Sequence, residues 1–372
     1  MKNMAGLVEV FPSPLGGRGV RAKRDIKAGE VLVREEPYVL CHGAVESPSR
    51  CDYCFAEKSD LRRCLGCKYV RYCSKDCQKS AWPDHIHECK GIKKAPASEI
   101  FQDEHRFVAK VLQKRKAMQG NSSASPADEN GFPNTPDELQ HHIDNWEPRH
   151  NRKFERAYTQ LTQFMNEDDI KNKNKVKEIV SICRVNSVQI QDGRGRSLGY
   201  GLFLKYAMFN HSCDPNCLVA TDHESNMMIN RREIRAVAEI KKGEECFVSF
   251  VDEYQPTAMR NDAISAEWFF TCNCNLCQNK ERNARICGLR CPNCSSAVPF
   301  SPTESPIFVD VDDYNRRPEF EFNPQSEIKC VSCQWLPDRA LREKYWLAFL
   351  QMNEKDILIK AKKETLTPDI LL

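Results

Sequence analysis

Twenty cysteines in 372 residues, most of them in close pairs, constrain this chain more than any other feature. Cys51/Cys54, Cys64/Cys67, Cys291/Cys294 and Cys330/Cys333 each place two thiols on one turn. That spacing suits tetrahedral zinc, whose structural sites take four Cys or His ligands. Disulfide-stapled chains are usually short and secreted. This chain is long, and Met1 to Val10 shows no basic stretch leading into an apolar one, so no secretory leader is expected. Metal is therefore preferred over disulfides. A reducing compartment follows, and the expected location is nucleus and cytoplasm. Hydrophobic residues at 41% and charged residues at 29% are ordinary for a globular chain, and a formal charge of +3 is too small to predict polyanion binding. No apolar run approaches the roughly 20 residues of a membrane span, so no membrane partner is expected.

Residues 7 to 40 alternate glycine turns with short β-rich runs, Leu7–Phe11, Val31–Arg34 and Tyr38–Cys41, and read as a small antiparallel β unit. From Glu99 to Lys116 and from Asp137 to Met165 the pattern is helical, with Phe101, His105, Val108 and Leu112 on one face. Gly120 to Pro136 reads as a loop, and 184 to 252 returns to short strands. A charged helical tail is expected from Asp338 to about Glu364, with Tyr345, Trp346 and Phe349 packed rather than catalytic.

Cys51, Cys54, Cys64, Cys67, Cys73, Cys77, His85 and Cys89 supply eight ligands, enough for two closed tetrahedral sites. His85 lies four residues before Cys89 and shares its helix face, whereas His87 faces away, so His85 is chosen. A 39-residue segment of this kind has too small a core to fold alone, and metal must supply most of its stability. Arg62, Arg63, Lys68, Arg71, Lys75 and Lys79 make it locally basic. A solvated face is the preferred reading of these cations, and a nucleic-acid site the weaker one.

The stretches Tyr72-Cys73-Ser74-Lys75-Asp76-Cys77-Gln78 and Ala81-Trp82-Pro83-Asp84-His85 closely resemble a MYND finger. The resemblance implies alternating ligands, with Cys51, Cys54, Cys73 and Cys77 in one site and Cys64, Cys67, His85 and Cys89 in the other. It also implies a protein-interaction surface, often for proline-containing peptides. Asn210-His211-Ser212-Cys213-Asp214-Pro215-Asn216, then Gly243-Glu244-Glu245, then Cys272, Cys274 and Cys277 resemble the core of SET methyltransferases. Gly17-Arg18-Gly19-Val20-Arg21-Ala22 looks like the opening strands of the same domain. A SET domain interrupted by a MYND finger defines the SMYD family, and the resemblance covers roughly residues 5 to 280.

The resemblance implies S-adenosylmethionine as methyl donor, with Asn186, Asn210 and His211 hydrogen-bonded to it, Phe250 beside it and Phe270 stacked on its adenine. Gly16, Gly17 and Gly19 would let backbone approach its methionine end, assisted by Arg18. His142 matches a position near that pocket through a looser alignment. Cys213 with Cys272, Cys274 and Cys277 would form a third zinc site, Cys217 being surplus. Cys291, Cys294, Cys330 and Cys333 resemble a zinc ribbon and would hold a fourth ion. One departure stands out: the family's catalytic tyrosine position is Phe250, and a second family tyrosine appears as Trp268. Both changes keep an aromatic wall and remove a hydroxyl.

The expected fold is α+β. A mostly β SET domain (5–50 and 184–252) is interrupted by a MYND finger (51–89) and a helical insert (95–183). A post-SET zinc segment (253–280), a zinc ribbon (287–335) and a short helical tail (338–372) follow, in place of the family's larger C-terminal region. The expected function is protein-lysine methylation on a histone tail or another protein, with Phe250, Asn210 and His211 in the catalytic set. The competing expectation is an interaction scaffold or transcriptional regulator with weak or no activity.

Overall fold

The computed structural model describes residues 6–43, 49–94, 103–119, 126–191, 196–221, 231–255, 257–279, 288–299 and 329–338, with two further short strands and a few single positions. The chain divides into two compact units, Met1–Asn210 with Asn216–Val248, and His211–Pro215 with Ser249–Leu372.

In the first unit, small sheets surround a core that includes Val20, Ile26, Val39, Leu202, Phe203, Ile234 and Ile240, all fully or nearly buried. Val8–Pro12 pairs antiparallel with Arg18–Ala22, Val8 opposite Ala22. The remaining early strands do not complete a local β unit as expected. Val31–Glu35 pairs with Arg232–Ala236, and Val39–His42 pairs with Ser197–Leu202. Ser187–Gln191 flanks the latter strand on its other side. Alternating apolar residues mark a strand but do not name its partner, and here the partners lie across the whole insertion.

The insertion is helical but is cut differently from its sequence pattern. A helix spans Asp103–Gln119, burying His105, Val108 and Leu112; Phe101 lies outside the described residues. Residues 137–147, expected to be helical, form two isolated 3-10 turns, Pro136–Glu138 and Ile143–Asn145. The α-helix begins only at Pro148 and runs to Phe164. Proline suits the first helical position and disfavours helical backbone in the residue before it, so Pro148 sets the boundary. Lys173–Asn186 closes the insertion, with Asn186 at its last turn. The zinc-ligand helix Lys75–Lys94 packs closely on Pro148–Phe164. A side chain at Gly91 would place its Cβ 2.5 Å from the Phe164 carbonyl.

Four buried charges join the finger to the insertion. Arg106 donates through Nε to Glu88 Oε1 at 2.9 Å and through Nη1 to the His42 carbonyl at 3.0 Å. Its Nη2 lies 3.3 Å from Asp52 Oδ1. Lys110 Nζ lies 3.6 Å from Asp52 Oδ2 and 3.5 Å from Glu88 Oε2. Burial by itself would push the Glu88 carboxyl up, yet the adjacent Arg106 and Lys110 hold it well below the usual range.

In the second unit a helix spans Thr257–Trp268, followed by the turn Asn275–Gln278. Two hairpins come next, Gly288–Arg290 with Ala297–Pro299 and Ile307–Asp310 with Arg316–Glu319. Most of the expected helical tail, Tyr345, Trp346 and Phe349 included, lies outside the described residues.

Removing one member of a buried ion cluster strands the others. Arg106→Met should cost about 3–5 kcal/mol of stability, read from urea unfolding of zinc-saturated protein. A loss below about 1 kcal/mol, the worth of a surface ion pair, would mean that water reaches the cluster.

Candidate functional site

Four groups of ligand atoms gather as metal cages: Cys51, Cys54, Cys73 and Cys77; Cys64, Cys67, His85 and Cys89; Cys213, Cys272, Cys274 and Cys277; Cys291, Cys294, Cys330 and Cys333. Within each group all ligand atoms lie within 4.8 Å of one another. Zinc–sulfur bonds of about 2.3 Å and zinc–nitrogen bonds of about 2.0 Å imply tetrahedron edges of roughly 3.8 Å between sulfurs and 3.5 Å from sulfur to nitrogen. The structure gives 3.6 Å for Cys54–Cys73, 3.9 Å for Cys64–Cys89, 3.6 Å for Cys67 to His85 Nε2, 3.6 Å for Cys277–Cys213 and 3.7 Å for Cys291–Cys333. A disulfide would need about 2.05 Å, and no described cysteine is in one. The donor sets fit four zinc ions. Cys217 lies outside the third cage, beside Cys246, whose thiol it pushes up.

The finger's ligands alternate between its two cages. His85 is 2% exposed and aims Nε2 at Cys67, while His87 is exposed. Behind His85, Nδ1 meets Glu88 Oε2 at 2.7 Å. A carboxylate on the far nitrogen fixes the tautomer and the ring orientation of a metal-binding histidine. The sequence reading passed over Glu88, although its place three residues after His85 on the ligand helix was a usable signal.

In the third cage the support comes from His211 and Arg260. His211 Nδ1 accepts the Phe250 backbone N–H at 3.0 Å. The proton therefore sits on Nε2, which donates to Cys213 Sγ at 3.1 Å. Both ring nitrogens of His211, which the family resemblance places at the cofactor, make these contacts within the second unit. Arg260, fully buried, donates to Thr257 Oγ1 at 3.0 Å and to Cys277 Sγ at 3.6 Å. A zinc ion with four thiolates carries a net charge of about −2, and this guanidinium offsets part of it. Nothing in the local sequence marked Arg260.

The remaining expected residues fall into a cluster in each unit. In the first, Gly16 and Gly17 turn the chain with φ of 98° and 69°, conformations that favour glycine. The Arg18 guanidinium donates to the Ala207 carbonyl at 2.7 Å. Its Nε is buried without a partner, and burial pulls its pKa down to about 10. No carboxylate pairs with it among the described residues. Asn210 Nδ2 donates to the Arg18 carbonyl and to Glu245 Oε1, both at 2.8 Å. Asn186 Nδ2 donates to the carbonyls of Gln140 and Ile182, at 2.8 and 2.9 Å. Both amides therefore keep Oδ1 as the atom to offer a ligand. Gln140 reaches back toward Gly17, and His142, left-handed at φ 50°, feels the Arg18 charge and is held neutral chiefly by burial. Gly17, Arg18, the 140–142 loop, Asn186 and Asn210 thus converge.

In the second unit an aromatic row runs Trp268, Phe250, His211, Phe270. Ring centroids are 5.1 Å apart for Phe250–Trp268, 5.2 Å for His211–Phe250 and 6.2 Å for His211–Phe270. Phe269 takes a left-handed φ of 62° directly after the helix, which turns the chain toward an exposed Phe270.

Elemental analysis of the whole protein should find about four zinc ions per chain, following four ligands per ion. Two ions would leave only the finger's cages filled. His211→Ala should speed chelator extraction of one zinc by about tenfold, as expected on losing a group that supports a metal ligand. Unchanged extraction would limit His211 to its contact with Phe250.

A SET domain family model matches residues 17–251, well over half of the chain. N-lysine methyltransferase SMYD2-B of Xenopus laevis is 30% identical over 76% of this chain and 63% of its own length. N-lysine methyltransferase SMYD2 of Gallus gallus is 31% identical over 75% of this chain and 61% of its own. The chain thus spans about three fifths of the curated relatives it matches. A solved SET domain of LSMT, described as bound to lysine and AdoHcy, aligns with a TM-score of 0.40 and 10% identity, over 77% of this chain and 55% of that one. With the SET model spanning the finger and the helical insertion, the chain belongs to the SET-domain family, in its SMYD branch.

Proposed function

We propose that this chain is an S-adenosylmethionine-dependent protein-lysine methyltransferase. The observation that carries the reading is Arg18, a desolvated cation with an orphaned Nε, beside amides whose free atoms are oxygens. That pattern complements an amino-acid zwitterion: a guanidinium for the carboxylate, and Asn186 and Asn210 Oδ1 for the ammonium. Gly16 and Gly17 let backbone approach the same end, and His142 stays neutral beside it. When bound, the donor supplies an activated methyl group on a sulfonium. The relatives' printed name, N-lysine methyltransferase, supports lysine as the acceptor and a protein as the substrate class. Whether that protein is a histone tail, and whether the finger takes proline-containing peptides, belong to the same proposal, as does a location in nucleus and cytoplasm.

For the acceptor side, His211 holds the Phe250 backbone, and Trp268 lies against the Phe250 ring. Neither aromatic offers a hydroxyl, so the lysine amine loses an orienting dipole. A second reading draws on this observation. The chain would then bind the donor and act mainly as an interaction scaffold.

One experiment separates the two readings. Wild type should bind S-adenosylmethionine by calorimetry, and Arg18→Met should weaken binding by about 1.5–3 kcal/mol, the worth of a charge-assisted hydrogen bond. Phe250→Tyr adds one oxygen to a ring already in place. It should raise turnover on a lysine-peptide array with cofactor affinity nearly unchanged, as for an interaction made mainly in the transition state. No donor binding by zinc-loaded protein would refute the enzyme reading; binding with no transfer by either protein would favour the scaffold.

A further inference from the structure

The finger carries a small hairpin, Arg62–Arg63 with Arg71–Tyr72, in which Arg63 stands directly opposite Arg71. Like charges across an antiparallel pair oppose strand pairing, so a carboxylate between them is the ordinary remedy. None is present: among the described residues, Arg62, Arg63, Lys68 and Arg71 make no ion pair. The finger's own acids are drawn elsewhere or lie out of reach. Glu57 pairs with Arg50 at 2.7 Å, Asp84 lies 3.4 Å from Lys114, and Asp52 and Glu88 are buried with Arg106 and Lys110. Asp60 and Asp76 are exposed but pair with none of these cations.

The turn of the same hairpin is the zinc knuckle. Cys64 N–H donates to the Val70 carbonyl at 2.9 Å, and Lys68 N–H to the Cys64 carbonyl at 2.9 Å. Leu65 stands on that knuckle 91% exposed. A lone exposed leucine means little. One held at the tip of a metal-fixed turn, between two strands that carry the facing pair Arg63 and Arg71, sets an apolar side chain next to unpaired cations, as a protein interface sets an apolar centre beside a charged rim. Phosphate backbones would use the cations and leave Leu65 idle, so charge and apolarity together select a protein ligand.

We propose that the hairpin of Arg62, Arg63, Leu65, Lys68 and Arg71 is a docking surface for an acidic protein segment carrying an apolar side chain. The carboxylates lie over the Arg63–Arg71 pair, and the apolar residue covers Leu65. Zinc holds the knuckle rigid, so little conformational entropy is lost on docking. The surface is independent of any methyl transfer.

The test uses fluorescence anisotropy with the full, zinc-loaded protein. The probe is a labelled peptide of alternating Asp and Glu with one central Leu; a Lys version and a short DNA duplex serve as comparators. The acidic peptide should bind saturably, more weakly as salt is raised, and the Lys version should not bind. Arg63→Glu with Arg71→Glu should lower affinity about tenfold or more, and Leu65→Ala several-fold, with zinc content unchanged. Absence of saturable binding, indifference to the double charge reversal, or duplex binding tighter than the peptide's with no effect of Leu65→Ala would each overturn the proposal. Zinc content is read on the same samples, so loss of the finger is not mistaken for loss of the surface.

Discussion

Two carboxylates and two cations removed from water hold the insertion to the finger. Asp52 comes from the first knuckle, Glu88 from the ligand helix, and Arg106 and Lys110 from the helix beyond. Each charge is costly to desolvate alone, and only the full set offsets the cost. The quartet therefore specifies placement more than it adds net stability. Rotating the Asp103–Gln119 helix by half a turn about its axis would take Arg106 and Lys110 away from both carboxylates and leave Asp52 buried without a cation. Through His85 the same carboxylate touches the metal cage, and through the carbonyls of His42 and Leu40 the cations grip the strand Val39–His42. Metal, helix and sheet edge are set in register by one cluster.

A second polar knot organises the donor side of the first unit. Glu245 accepts from Ser13 Oγ at 2.9 Å and from Asn210 Nδ2 at 2.8 Å. It lies so close to Gly19 that a Cβ there would meet its Oε1 at 2.1 Å. Asn216 adds to the knot, donating to the Glu245 carbonyl and accepting from the Phe247 N–H. These contacts hold the Gly16–Arg18 turn so that the Arg18 guanidinium is desolvated without a counter-charge. Keeping such a group costs stability, as is common where ligand complementarity is built in advance.

The metal cages were legible because their ligands are close in sequence and chemically distinctive. Spacing alone selected His85 over His87, while the alternation between cages came only with the family resemblance. The supporting groups were not legible in the same way. Arg106 and Lys110 lie on a helix face that reads as solvated, and only the fold shows them buried against Asp52 and Glu88. Residues 137–147 look helical by composition, but Pro136 and Pro148 bracket them and His142 turns left-handed, which no apolar period reveals. His211 was read as a cofactor ligand from its place in the Asn-His pair. Its tautomer is set by the backbone N–H of Phe250, which is distant in sequence, and only the fold shows that the freed Nε2 proton then meets Cys213, two residues away.

The strand Val39–His42 finds its partner Ser197–Leu202 only after the finger and the helical insertion have intervened. Closing a flexible loop of roughly 160 residues would oppose that pairing by about 4–5 kcal/mol on logarithmic scaling. The insertion need not be flexible when that closure occurs. Two interleaved zinc cages compact its first part, and the ion quartet then seats the Asp103–Gln119 helix on the very strand that must pair. Metal capture thus shortens the effective loop, converting a high-contact-order topology into a sequence of shorter closures. The supply of zinc during synthesis then governs how quickly the central sheet assembles, and with it how long unpaired strand edges remain open to aggregation.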